Sequence, residues 1–566
     1  MQVERIDDIP IICHELQTLG IAELINTHFR VHGNWQGSSL GTLCCVFLSY
    51  ILSESDHRLS HVEEWYKSLE HSLGYFLDCP TLDRLDCTDD RLGLLLDYIS
   101  DDESYLGFEK ALNQQVLSVY SLNIDPDRDN LSDKTVHLDA TIAQSFKESS
   151  ALFSIGYAKH RRPDLAQLKV MLSTLGSLGF PLCVEVVNGS MSDDVLYLPM
   201  IERVENTLEM KGLLFVGDSK LGSMGNRATI SAKGHYYLTP LNKVQLPFKA
   251  LQNLVQSAKE LVYMGESGEI KAFETLKNRQ HEEFVWSERL ITAYSPTYAK
   301  TQIAQFDKQI AQNKTAIEAL TVIKQGKTPL KNEQDLQHKI TDILHKAKTT
   351  DFFDIQIQTN TAETIVRKYG NRPHETRLTY TFNVTIKMNE TAIKTHKQTL
   401  GWRVYATNAP IKALNIQKVI ETYKEEYKVE YRFNQLHNKT AALMPIYLQK
   451  DERIKALIRI LMIAIKISSL IQYKARIELK KTQTQVNELF PGNPGRKTDQ
   501  PTAEMMLRAF SNISLVIIEL NNGSKHIEIS KLSNTQKNLL KLLGSKSTVY
   551  EGLALFLKSK FKISET

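Results

Sequence analysis

The chain has 566 residues, 42% hydrophobic and 24% charged, with a formal net charge of +4, which is ordinary globular usage and enough for three or four domains. Its six cysteines, Cys13, Cys44, Cys45, Cys79, Cys87 and Cys183, form no CxxC pair and no Cys/His zinc spacing, so they read as reduced thiols of a cytoplasmic protein. The N-terminal MQVERIDDIP lacks the basic and apolar regions of a signal peptide, and the most apolar run, Ile454 to Ile471, is interrupted by Lys455, Arg459 and Lys466, so a buried or amphipathic helix is expected there and no membrane span. The charge is unevenly spread: residues 1–115 hold roughly seven basic against twenty acidic side chains, and the positive excess lies in the later two-thirds, which suggests an anionic partner such as a phosphate backbone.

Residues 1–120 read as a helical domain. Ile11 to His28, Ser39 to Leu52 and Arg91 to Ile99 place apolar residues three and four apart, with Gly33, Gly37, Pro80 and Asp89 near the breaks. After a polar linker, Thr135 to Ser145 alternates Val136, Leu138 and Ala140 with His137, Asp139 and Thr141, the period-two pattern of a strand. Aspartate is a poor strand former and costly to bury unpaired, so Asp139 marks a bulge, an edge, a salt bridge or a metal ligand.

A polar loop, GYAKHRRPDLAQ, follows, and then two strands, Leu168 to Leu175 and Pro181 to Val187, joined by GSLG as an antiparallel hairpin. Ser192 is a plausible N-cap for a helix from Asp193 to Thr207, whose dipole accounts for Asp193 and Asp194. The strand Leu213 to Val216 runs into Asp218; Met224 to Ala232 is helical and Tyr236 to Leu241 is a further strand. This order of elements is the one expected of a ribonuclease-H-like sheet, in which the first and fourth strands lie side by side and Asp139 and Asp218 are neighbours. Two adjacent carboxylates stay ionised mainly if a divalent cation neutralises them, and hard oxygen donors suit magnesium or manganese.

The segments HLDAT, GYAKHRRPDLAQ, GFPLCVEVVNGSMSDD, LLFVGDSKLGSMGN and YKEEYKVEYRFNQL, in that order, resemble the motifs of bacterial insertion-sequence DDE transposases, in the branch with a long β-rich insertion before the last acidic residue. The likeness runs from about Asp139 to Ile471. It implies a multidomain protein with an α/β ribonuclease-H-like core formed by residues 134–241 and 401–481, a β-rich and helical insertion domain at 242–400, the N-terminal helical domain at 1–120 and a small C-terminal module at 482–566.

Carried over by residue, the resemblance makes Asp139, Asp218 and Glu430 the catalytic metal ligands, holding two magnesium (or manganese) ions, with Glu430 in a helix from Ile416 to His437. Tyr423 matches the tyrosine seven residues before that glutamate. The arginine and lysine of the wider superfamily are replaced by Glu426 and His437, and Arg432 and Lys439 lie where they could substitute as phosphate contacts. Lys159, Arg161 and Arg162 fall in the basic loop and are candidate DNA contacts, with a salt bridge to Asp164 as the alternative. In the insertion, Trp286 and Trp402 are candidates for stacking on a DNA base, although a tryptophan in a strand is more often core.

The implied activity is metal-dependent cleavage at the inverted ends of a mobile element and transfer of the freed 3′ end to target DNA. The implied partners are double-stranded DNA and a second copy of the chain, with no membrane. Two other readings stay open: a ribonuclease-H-like nuclease without strand transfer, and an inactive DNA-binding relative acting as a repressor. Toward the C-terminus, a long helix is expected from Asp451 to Lys481, ending in the basic KARIELKK. Beyond it, Phe510 to Glu519 is expected to be in part a strand and Ser533 to Leu543 a helix.

Overall fold

The computed structural model describes the chain apart from residues 121, 123–130, 157–161, 163, 177–178, 259–260, 265–269, 323–329, 331, 367–374, 439–440, 522–524, 547 and 563–566. It is a multidomain α/β protein that divides into two units, one of residues 1–239, 278–288 and 407–566, the other of residues 240–277 and 289–406.

In the first unit a mixed sheet is built from Thr135–Ser145, Ala166–Leu175, Phe180–Asn188, Leu214–Gly217 and Tyr236–Pro240. Taken in chain order as first to fifth, they lie side by side as third, second, first, fourth and fifth. The first three form an antiparallel meander, with Asp139 opposite Leu172 and Met171 opposite Glu185. The fourth strand then pairs with the first in parallel, from Thr135 opposite Leu214 to Leu138 opposite Gly217. The fifth pairs in parallel with the fourth. Parallel neighbours need a crossover, and the helices Asp194–Leu208 and Met224–Ala232 supply the two that are required. The side-by-side placement of first and fourth strands expected from the element order is therefore what the chain adopts. Ser192 does not cap the first crossover helix: its N-cap is Asp193, whose side chain makes no cap bond and is instead taken by Lys169 and by Lys220 at 2.6 Å.

A 32-residue helix, Asp451–Thr482, is buried along most of its length. The charges that interrupt its apolar run each find a partner in the protein. Lys455 pairs with Asp102 at 2.6 Å, Arg459 donates to the carbonyls of Ile99 and Ser100 at 2.9 Å, and Lys466 reaches Asn113 and the carbonyl of Leu182. Among the described residues no helix is long and apolar enough to cross a membrane.

The N-terminal region departs from the expected pattern in two places. The stretch Ile11 to His28 is two helices, Ile9–Thr18 and Ile21–His28, because Gly20 takes a left-handed conformation with φ of 62°. Before them Gln2–Arg5 is a strand, paired antiparallel with Ser514–Glu519 near the other end of the chain.

The second unit combines helices Pro296–Glu318 and Glu333–Ala347 with a long antiparallel hairpin, Phe353–Val366 and Glu375–Met388. Phe306, Ile310, Leu336 and Ile340 form its core together with Phe352, Phe353 and Ile393.

Residues 278–288, from the strands Ile270–His281 and Phe284–Tyr294, belong to the first unit. There Glu288 is fully buried between Arg227, itself only 3% exposed, and Arg279 at 2.7 Å, and it accepts the Tyr237 hydroxyl at 2.7 Å. A buried carboxylate bonded on this many sides is held firmly, but removing its charge strands the arginines. Replacing Glu288→Gln is expected to lower stability by about 3–5 kcal/mol, measured by urea unfolding, whereas Arg227→Met with Glu288→Met restores most of the loss. Unchanged unfolding of the single variant would show that the cluster contributes nothing.

Candidate active site

The parallel register that sets Leu138 opposite Gly217 brings Asp139 beside Asp218, one residue further along each chain. The ladder ends there, so Asp139 and Asp218 are the next residue on each chain, and the charges of both act on Tyr197. Both are half-buried. Asp139 Oδ1 accepts the backbone N–H of Ala140 at 2.7 Å.

Asp218 is held on several sides. Its Oδ1 accepts the N–H of Lys220 at 2.9 Å and the hydroxyl of Tyr197 at 2.8 Å, and its own carbonyl accepts the Thr239 hydroxyl at 2.7 Å. Tyr197 is 1% exposed. Burial raises its phenol pKa well above the ordinary value, and the charges of Asp218, Asp139 and Asp193 raise it further, so the hydroxyl stays a donor. Lys220 sits at the rim. Burial works against its charge, but the bond to Asp193 at 2.6 Å and the charges of Asp193, Asp218 and Asp194 raise its pKa overall.

His137 and Thr141 lie on the same face of the strand as Asp139. His137 is fully buried, and burial, aided by the charge of Lys428, lowers its pKa to about 4, leaving the ring neutral. Thr141 meets His437, whose Nε2 is 3.1 Å from its hydroxyl. That contact anchors the helix Tyr427–Asn438, which buries Val429, Phe433 and Leu436.

Glu430 is on this helix but exposed, and among the described residues no group of three His, Cys, Asp or Glu is arranged to hold a metal ion. Asp139 and Asp218 follow paired residues of adjoining strands, and Glu430 is carried by the helix that packs on the Asp139 strand through His437 and Thr141. The expected single helix from Ile416 to His437 is two, Ile416–Lys424 and Tyr427–Asn438, separated by a turn at residues 425–426. Tyr423 and Glu430 are therefore on different helices. His437, read from sequence as standing in the place of the superfamily's lysine, meets Thr141, two residues from Asp139. Two oxygen-donor carboxylates on one face fit a divalent cation by the chemistry of the donors, with a third protein ligand still to be supplied.

The remaining candidates divide. Arg432 is only 4% exposed; its Nε donates to the Gly179 carbonyl at 2.7 Å and its Nη1 to Gln435 at 2.8 Å. Two residues apart is about 200° around a helix, so Arg432 and Glu430 point to opposite sides of it. Trp286 is core: it is 7% exposed, donates to the Tyr237 hydroxyl at 3.0 Å and stacks on Phe284. Trp402, in the second unit, packs against Tyr294 and Phe273 with ring centroids 5.2 and 5.8 Å away. Arg162 makes the exposed salt bridge to Asp164, at 2.7 Å, that was the alternative to a phosphate contact. Lys159, Arg161 and Lys439 lie outside the described residues. Tyr197 and Lys220 were not singled out from sequence; the only local signal was that Lys220 falls two residues after Asp218.

No family model matches the chain, and no curated protein matches it. One solved structure it is similar to is a cryo-EM structure of the piggyBac transposase synaptic complex with hairpin DNA, at 7% identity and a TM-score of 0.34, covering 88% of this chain and 79% of that one. At that likeness the reading of the site rests on the residues themselves.

The repulsion within the pair gives a direct test. Asp218→Asn is expected to raise the thermal midpoint in metal-free buffer, because it removes a like charge from beside Asp139. Millimolar magnesium is expected to raise the midpoint of the wild type and leave the variant unmoved. Identical magnesium responses in scanning calorimetry would show that the pair binds no cation.

Proposed function

We propose that the protein is a DNA transposase with a ribonuclease-H-like core, which cuts a phosphodiester at the ends of its own mobile element and joins the freed end to target DNA. The observation that carries this reading is the parallel register that ends with Leu138 opposite Gly217, the residues just before Asp139 and Asp218. A meander of three antiparallel strands, extended by two parallel ones from its first strand, is the sheet order of that fold, and the acidic pair lies where the first and fourth strands adjoin.

Asp139 and Asp218 are the residues that would hold magnesium or manganese, with Glu430 as the third acidic group. Bound there, such a cation supplies activation of the attacking oxygen and stabilisation of charge at phosphorus. The chain's own groups prepare the site. The Tyr197 hydroxyl and the Lys220 N–H fix the Asp218 carboxylate in one orientation, which lowers the cost of ordering it during reaction. The Lys220 ammonium, tied to Asp193, adds a positive rim beside the acidic pair, where a DNA phosphate approaches. The helix Tyr427–Asn438 is docked through His437 on the Asp139 strand, and Glu430 completes the acidic set when DNA and cation occupy the site. Double-stranded DNA and a second copy of the chain are the proposed partners.

Glu426 and His437, standing where the wider superfamily has an arginine and a lysine, favour one other reading, a DNA-binding relative without chemistry, and one experiment decides between them. A labelled duplex carrying the DNA that flanks the reading frame is incubated with magnesium and wild type, Asp218→Asn or Glu430→Gln. Wild type is expected to cut at the element boundary, and each variant to cut at least about 1,000-fold more slowly, the several kcal/mol a metal site contributes. Sequence-specific binding with no cutting by any of the three proteins would favour the repressor. Equal cutting by all three would remove these residues from the site.

A further inference from the structure

Two lysines beside the acidic pair share one carboxylate. Lys169, on the second sheet strand opposite Ile142, donates to Asp193 Oδ1 and to the Met191 carbonyl. Lys220 donates to the other oxygen, Asp193 Oδ2, at 2.6 Å. The surroundings of the two ammonium groups differ. The Lys169 side chain is 11% exposed and the Lys220 side chain 45%, with the Asp193 side chain at 9%. A buried carboxylate is costly when no cation balances it, and Lys169 balances Asp193 without help from Lys220.

Asp193 has to stay where it is. It is the N-cap residue of the helix Asp194–Leu208, whose first turn carries Tyr197, the hydroxyl donor to Asp218 Oδ1. Lys220 is rooted at that same oxygen by its backbone N–H, at 2.9 Å. Its ammonium is thus a half-exposed charge on a flexible stem, with its base fixed at the acidic pair. Were Lys220 the sole partner of Asp193, any swing of its side chain would strand a buried charge at the start of the Tyr197 helix. With Lys169 in place the swing strands nothing. A half-exposed ion pair adds little to stability, whereas an ammonium bonded to phosphate makes one of the stronger hydrogen bonds, so the exchange of one for the other is downhill.

We propose that Lys169, Asp193 and Lys220 form a releasable latch: a phosphate arriving at the acidic pair draws the Lys220 ammonium off Asp193, and Lys169 stays behind to hold the carboxylate. The naming of that phosphate as the scissile group of a DNA strand rests on the transposase reading; the latch rests on the three side chains. Lys220 is then a substrate contact, and Lys169 a positioning residue that makes its release possible.

The test uses the full chain with Lys220→Met, Lys220→Arg and Lys169→Met, all of which keep the backbone N–H at residue 220. Lys220→Met is expected to leave the thermal midpoint where it is in wild type, and Lys169→Met to lower it. Magnesium pyrophosphate is expected to raise the midpoint of wild type and of Lys220→Arg, but not of Lys220→Met. Duplex binding by Lys220→Met, in calcium buffer, is expected to lose about one from the slope of log affinity against log salt. A Lys220→Met midpoint as low as that of Lys169→Met would make Lys220 a structural ion pair and overturn the latch. Equal pyrophosphate responses in wild type and Lys220→Met would also overturn it. A pyrophosphate response that needs Lys220, in a wild type that neither binds nor cuts DNA, would sink the transposase reading and leave the latch standing.

Discussion

The constraint on which the first unit depends is the satisfaction of charges along one buried helix. Asp451–Thr482 carries Arg453, Lys455, Arg459, Lys466 and Lys474 among aliphatic residues, and a buried cation is tolerated only when its donors are bonded. The partners come from separate parts of the chain. Asp97 takes Arg453 and Asp102 takes Lys455, while Glu15, on the first helix, takes Lys474 at 2.8 Å. Lys466 reaches Asn113 on the helix Asp102–Val119 and Leu182 on the third sheet strand. Burial lowers its pKa to about 8, against raising effects from Glu109 and Cys183. The helix thus registers the N-terminal helices against the sheet, and apolar burial alone, being non-directional, would leave that register undefined.

The same economy of charge organises the functional face. Negative groups gather where the first and fourth strands adjoin, with Asp139, Asp218 and Asp193 all acting on Tyr197. Positive groups gather behind the Tyr427–Asn438 helix, where Arg432, Arg476, Lys480 and Lys497 line one cavity. A single short helix separates the two, presenting His437 to the strand and Arg432 to the cavity.

What the sequence made legible was local. Period-two alternation located the strand around Asp139, Met224–Ala232 was read to the residue, and the interruptions at Lys455, Arg459 and Lys466 separated a buried helix from a membrane span. The adjacency of Asp139 and Asp218 followed from element order, because parallel neighbours joined through helices have few alternatives. What it hid was set by distant contacts or by weak local signals. The turn at residues 425–426 falls on two glutamates, with neither glycine nor proline to announce it. Trp286 and Arg432 have the composition of surface anchors, and only their partners, Tyr237 for one and Gly179 for the other, show that they face inward. Gly20 did carry a signal, a glycine inside an apolar-periodic stretch, which was passed over in favour of the stronger periodicity on either side.

The strand Gln2–Arg5 has a consequence for how the molecule comes into being. Val3 lies opposite Val516, and Ser514–Glu519 is the middle strand of the three-stranded sheet that Gln2–Arg5 borders. On the ribosome Gln2–Arg5 emerges with its strand edge unmatched and waits through roughly 500 further residues for its complement, an extreme of non-local pairing. Until then that edge is open to other chains. A product that stalls short of residue 514 never closes the sheet, so its closure reports that synthesis has passed that point.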